Sequence, residues 1–230
     1  MSYGFLAVNQ SGFTQIDGTY DNLAVLASGT GTTSYYSSLG NVANRVNWPT
    51  NLPSTWALFA KPSLETESGG FNTYWLQTDA NGFYITTPLG SNFTRSFDWK
   101  ICLRSFEMPS SPNTGYGLKV YKSNGDEAFS SNNENFKCLF VASDNTTAGS
   151  QAVYSPTSIS GCFRLMNGSG WVAYHPSNQY PGTVAVSAYM QQFDYVTDEI
   201  KAVVTYAAIV GGSGSSTSDQ VKTNLVGKFA

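Results

Sequence analysis

One histidine and three cysteines are the residues of this chain best suited to catalysis. A nucleophilic triad would have to be built on His175, and no Gly-x-Ser-x-Gly elbow presents a serine to it. His175 follows Trp171-Val-Ala-Tyr, where a strand runs out into a loop, and reads as a polar group at a strand end. Cys102, Cys138 and Cys162 are odd in number and widely spaced, which fits neither a disulfide framework nor zinc-ligand spacing. The apolar neighbours of Cys102 and Cys138 favour reduced core thiols. Glycoside hydrolysis needs two carboxyl groups about 5–10 Å apart in a sugar cleft. Glu65 and Glu67 would share a face of an extended segment, but beside Ser68-Gly69-Gly70 they read as a solvated loop. Asp194, Asp198 and Glu199 read as a turn before the final strand. There is no phosphate loop, dinucleotide fingerprint or calcium loop. The expectation is a protein that is not an enzyme and holds no cofactor or metal.

Aromatic rings offer another chemistry, stacking. Most of the five Trp and fourteen Tyr are expected in the core, since large rings fill β-sandwiches. Those in loops could form a sugar platform or a protein interface, and the candidates are Tyr35, Tyr36, Trp48, Tyr174 and Tyr180. Charged residues are only 12% of the chain, about half the usual share. The net charge is −3, without a basic run. Nucleic acid requires clustered Lys and Arg, so none is expected as a partner. A basic membrane-surface helix is missing for the same reason. No signal peptide is visible, and the most apolar run, 200–210, is too short to span a bilayer as a helix. Membrane insertion is therefore not expected.

The elements that must position these residues are short. Apolar runs alternate with turn signals, and no helical period lasts three turns. Asn81-Gly82 sits between 74–78 and 83–87, and Asn124-Gly125 between 118–122 and 127–129. Both read as hairpins with type I′ turns. Further strands are expected at 56–60, 98–103, 161–166, 171–175, 183–189 and 200–210. The stretch 29–53 shows no clear strand and reads as an excursion loop.

Residues 3–26 and 116–139 look like two copies of one unit, 113 positions apart without a gap. Tyr3-Gly4 matches Tyr116-Gly117, Gly12 matches Gly125, and Asn22 matches Asn135. Asp21 meets Glu134, and Phe5, Ile16, Leu23 and Leu26 meet Leu118, Phe129, Phe136 and Leu139. Each copy predicts strand, glycine turn, strand, polar loop, strand. The fold expected is all-β, antiparallel sandwiches in two tandem domains sharing this unit, 1–110 and 111–210; one sandwich built from both halves is the alternative. Residues 211–230 form a short C-terminal extension. Gly211 to Ser218 reads as a flexible linker, and the apolar Val221, Leu225, Val226 and Phe229 as a tail that docks on a partner. Deleting 211–230 should on this reading weaken assembly and leave the fold intact.

The repeat copies resemble segments of minor tail and tail-tip proteins of tailed bacteriophages. The residues concerned are Tyr3-Gly4-Phe5 through Gly12 to Ile16-Asp17. A second stretch is Arg104-Ser-Phe-Glu-Met-Pro-Ser110, Gly115-Tyr-Gly-Leu-Lys-Val-Tyr121, Asn124-Gly125 and Ala128-Phe-Ser-Ser131. The likeness covers about a quarter of the chain and carries no catalytic residue. It implies a structural role in the virion, at the tail tip or baseplate, assembled in the host cytoplasm. Other tail proteins and further copies of the chain are the implied partners. The alternative is a carbohydrate-binding or receptor-binding adhesin contacting a host-surface glycan, with Trp48 and Tyr174 lining the groove. A polysaccharide hydrolase is a third reading.

Overall fold

The computed structural model describes residues 6–8, 14–17, 22–35, 44–65, 75–87, 94–109, 117–144, 151–154, 158–166, 172–176, 183–194, 198–211 and 222–229. In the first half the chain forms β1 (Leu6–Val8), β2 (Thr14–Asp17), β3 (Leu23–Thr32), β4 (Ser34–Tyr35), β5 (Val46–Asn47), β6 (Ala57–Pro62), β7 (Trp75–Thr78), β8 (Gly82–Thr87) and β9 (Ser96–Arg104). A 3₁₀ turn, Ser105–Glu107, follows. The second half forms β10 (Lys119–Tyr121), β11 (Glu127–Ser130), β12 (Phe136–Asp144), β13 (Gln151–Tyr154), β14 (Phe163–Leu165), β15 (Val172–Pro176), β16 (Thr183–Asp194), β17 (Glu199–Gly211) and β18 (Lys222–Phe229). The fold is all-β and antiparallel, apart from the parallel pair of β4 and β8.

The centre is a six-stranded sheet in the order β12-β18-β14-β6-β9-β3. Its edges meet: Ala24 on β3 bridges Asn135 beside β12, and Val25 N–H donates to Glu134 O at 2.9 Å. An even number of antiparallel strands lets the two edges meet antiparallel, so the sheet rolls up on itself. All six strands send residues into the enclosed cluster: Phe59 and Phe163, packed with Val25, Cys102, Phe136 and Phe229. The outer face of β6 and β9 buries Leu58, Phe97 and Ile101 against Phe83 and Ile85 of β8. A second sheet, β4-β8-β5 with β7 beside β8, thus lies on the first in a sandwich-like layer. A further sheet has the order β13-β17-β16-β15.

The repeat survives in the hydrogen-bond register. In the first hairpin Leu6 pairs Asp17, Ala7 pairs Ile16 and Val8 pairs Thr14. The positions 113 later pair identically, Lys119 with Ser130, Val120 with Phe129 and Tyr121 with Glu127, and the bulge falls at the same step. The third strands agree too. Along β3, Leu23, Ala24 and Val25 meet Arg104, Leu103 and Cys102, and the register then skips Leu26. Along β12, Phe136, Lys137 and Cys138 meet Phe229, Lys228 and Gly227, and the register skips Leu139. β18 is therefore the counterpart of β9. β14 corresponds to β6, because Ala57 opposes Cys102 as Phe163 opposes Gly227.

The two triplets β3-β9-β6 and β12-β18-β14 join where β6 pairs β14. There Phe59 opposes Leu165, its own counterpart, and the Met166 N–H to Leu58 O bond (2.7 Å) mirrors the pairing of Arg164 with Ala60. Equivalent residues facing each other in an antiparallel pair define a local two-fold axis. The two triplets are related by that axis.

Several expectations need correction. The division of the chain at 110/111 separates the two copies but does not divide this sheet, which draws on both. Of the 211–230 extension, 222–229 is an interior strand bonded on both sides rather than an appendage, and the expected linker lies, apart from Gly211 at the end of β17, outside the described residues. Its Gly227 is needed there because a Cβ would lie 2.1 Å from Lys137 O. Within 29–53, β3 runs on to Thr32, followed by β4 and β5. Gly29 and Gly31 read as loop residues, yet a Cβ on them would lie 2.8 Å from the Trp99 ring and 2.5 Å from the Phe97 ring. They are strand glycines under aromatic rings of the neighbouring strand.

Both hairpins form, with turns other than I′. Asp79 N–H donates to Gly82 O at 2.9 Å, so the two-residue turn is Ala80-Asn81. Gly82 makes room instead for Val46 O, 2.1 Å from where its Cβ would be. In the second, Gly125 N–H closes on Lys122 O at 3.0 Å with Gly125 at φ 90°, a turn ending in a left-handed glycine.

Candidate functional site

Three places concentrate functional residues, and the first is the seat of the C-terminal strand. Val226 is fully buried, and Leu225 and Phe229 pack against the enclosed cluster. The Phe229 ring lies 5.4 Å from Phe59, 5.2 Å from Phe136 and 5.2 Å from Phe163. These residues of the expected docking tail therefore dock on their own chain, in the slot between β12 and β14. Val221 lies outside the described residues.

The second place is an open cleft of about 490 Å³ lined by Trp48 and Trp56 with Pro49, Asn51, Leu52 and Thr78. Trp48 is held rather than presented. Its ring lies 4.8 Å from Trp56 and 5.2 Å from Phe83, and its Nε1–H donates to Asp79 O at 2.9 Å. The Asp79 carboxylate accepts from Asn81 N–H, Gly82 N–H and Tyr84 Oη, and the first of these bonds leads in holding its pKa below the ordinary value. The other aromatic candidates do not gather here. Tyr35 lies on β4, with its backbone opposite Thr87. Tyr174 lies on β15 in a different sheet, opposite Val186, and the expected strand-end histidine, His175, opposes Ala185. Tyr36 and Tyr180 lie outside the described residues, as do the side chains of Tyr35 and Tyr174.

The third place was not anticipated. A groove of about 300 Å³ runs between the 3₁₀ turn and the β10–β11 hairpin. Phe106, Met108 and Pro109 form one wall, and Tyr121, Asp126 and Asn132 stand across from them. Phe106 is braced by Arg104, 4.6 Å from its ring centroid, and Lys122 at 5.2 Å. Tyr121 is 56% exposed. Lys119 and Glu127 neutralise each other across the hairpin at 3.0 Å. The signal for this groove lay in the Arg104–Ser110, Gly115–Tyr121 and Asn124-Gly125 stretches noted for their resemblance. Their residues converge on it.

Of the carboxylates read as a solvated loop and a turn, Glu65 and Asp198 make defined hydrogen bonds, while Glu67 and the side chain of Asp194 lie outside the described residues. Glu65 joins the two halves: it accepts from Gly161 N–H at 2.9 Å, Ser160 Oγ at 3.0 Å and Lys61 Nζ at 2.9 Å. Burial pushes its carboxyl up, but these bonds outweigh it and hold the pKa below the ordinary 4.5. Asp198 accepts from Ile159 N–H at 2.8 Å. Cys102 and Cys162 are buried thiols whose pKa burial pushes up, and Cys138 is half-buried. Among the described residues no group of three or more His, Cys, Asp or Glu could hold a metal ion. No described helix is long and apolar enough to cross a membrane. Comparison of the chain with protein-family models, curated proteins and solved structures finds no match.

Proposed function

We propose that this chain is a structural component of a bacteriophage virion, at the tail tip or baseplate, acting through subunit packing rather than catalysis. The observation that carries the reading is the duplicated hairpin-and-strand unit, whose second copy bears the longer resemblance to tail-tip proteins and keeps the register of the first. The geometry supplies a mode of packing. β3 and β12 meet only at their first residues, through the Ala24–Asn135 bridge. Beyond it β3 pairs only β9 and β12 only β18 among the described residues, so each has one edge without a strand. Such edges pair readily with a strand of another subunit, and the two-fold relation gives each chain two of them.

The test is light scattering of the full chain after size exclusion, from micromolar to millimolar concentration. An oligomer is expected. A charged pair on the solvent-facing positions of the β3 edge, Ser28→Lys with Thr30→Lys, should dissociate it without changing its circular dichroism. A monomer throughout, or an oligomer indifferent to both lysines, overturns pairing between copies through this edge.

A further inference from the structure

We propose that the groove between the 3₁₀ turn and the β10–β11 hairpin is a binding site for a neutral saccharide. A sugar ring has an apolar C–H face and a rim of hydroxyls, and the groove offers a partner for each. Tyr121, 56% exposed, presents a ring to the face, and Phe106 continues that apolar surface. For the rim there are carboxamides and a carboxylate. The Asn132 backbone N–H donates to Ser130 Oγ, which fixes the loop and leaves the side-chain amide for a ligand. Asp126 uses Oδ2 to accept from Asn124 Nδ2 at 2.8 Å, leaving Oδ1 to accept from a hydroxyl.

Charge narrows the ligand class. Lys119 and Glu127 neutralise each other at 3.0 Å, as Arg104 and Glu107 do at 2.8 Å, and the charges left, Asp126 and the Lys122 ammonium over Phe106, are opposite in sign, so the groove has no net charge to draw in a phosphate or an acidic sugar. A wholly apolar ligand would strip water from these polar groups without replacing their hydrogen bonds. The groove's volume, about 300 Å³, is at the lower end of small-molecule sites.

The duplication provides a second, independent argument. The first hairpin has the same backbone register but carries Leu6, Val8, Phe13 and Thr14 where the second has Lys119, Tyr121, Asp126 and Glu127, while the turn glycine recurs as Gly12 and Gly125. The scaffold therefore does not require these polar and aromatic residues. They belong to one copy only, the copy whose hairpin faces the 3₁₀ turn.

The site stands apart from the virion reading, and its test separates the two. Saturation-transfer NMR on the full chain would use cellobiose, maltose, lactose and chitobiose, with a glucuronate-bearing disaccharide as the acidic comparison. Transfer to at least one neutral disaccharide is expected, strongest at the ring C–H protons, and weaker transfer to the acidic one. Tyr121→Ala should weaken binding about tenfold, the size of one aromatic contact, and Asn132→Ala should weaken it too. Tyr121→Phe should retain it. Thermal melts of the variants confirm that each is folded. No transfer to any neutral sugar overturns the proposal. So does transfer that survives Tyr121→Ala, or preferential binding of the acidic sugar. None of these outcomes bears on the oligomer measurement.

Discussion

Glu65 and Phe229 illustrate how single residues hold the two halves together. Glu65 follows β6 in the first half, yet its carboxylate is bound by Ser160 and Gly161 of the second. Glu65→Gln should cost about 1–3 kcal/mol at neutral pH, the range for a charge-assisted hydrogen bond. The pH dependence has a definite sign. A carboxyl whose folded pKa lies below its unfolded one stabilises fully above the ordinary 4.5, and that gain is lost as pH falls through the lowered value. Denaturant melts of wild type and Glu65→Gln should therefore converge below pH 4.5, and a gap independent of pH would remove Glu65 as its source. Phe229 touches three other phenylalanine rings, so Phe229→Ala should cost about 3–5 kcal/mol in the same melts. In the sequence Glu65 looked like half of a solvated acidic pair, because Ser160 and Gly161, which bind it across the halves, lie 95 and 96 residues away.

At the scale of elements, the repeat was legible wherever glycine turns and apolar positions coincide, and β1–β2–β3 and β10–β11–β12 follow it. The all-β class was legible from the alternation of short apolar runs with turns. The place of β18 was not. Lys222-Thr-Asn-Leu-Val-Gly-Lys-Phe229 mixes polar and apolar residues without clean alternation, and its kinship with Ser96–Arg104 lies in register rather than residue type. The groove was missed because it forms from segments on both sides of the expected domain boundary. The structure reverses the expectation for truncation: a chain ending at residue 211 loses the strand between β12 and β14 and should fail to fold, visible as lost β-sheet circular dichroism and rapid proteolysis. A truncated chain that keeps its spectrum would contradict the described sheet. Gly227→Ala is the gentler form of the test. Its Cβ would press on Lys137 O, and a loss of about 1–3 kcal/mol is expected from overpacking.

The six-stranded sheet should unfold as one cooperative unit despite its two copies, because the β6–β14 pairing and the Ala24–Asn135 bridge tie both triplets around one enclosed cluster. Of the five tryptophans, Trp48, Trp56, Trp75 and Trp99 lie in the first half and Trp171 in the second, so Trp171→Phe leaves a fluorescence signal from the first half. In that background Val226→Ala, in the second half, should therefore lower the denaturant midpoint seen by tryptophan fluorescence as much as that seen by circular dichroism. Two separated transitions would mean that the halves fold independently. The position of β18 also bears on how the protein is made. While the ribosome adds the residues between Arg104 and Phe229, the first half waits with Phe59 uncovered by Phe229, and its β6 edge stays unpaired until β14 is made. At about 5–20 residues per second that interval lasts roughly ten seconds. The nascent chain is then at its most prone to aggregate, so a holdase that shields β6 should raise the soluble yield of the full chain.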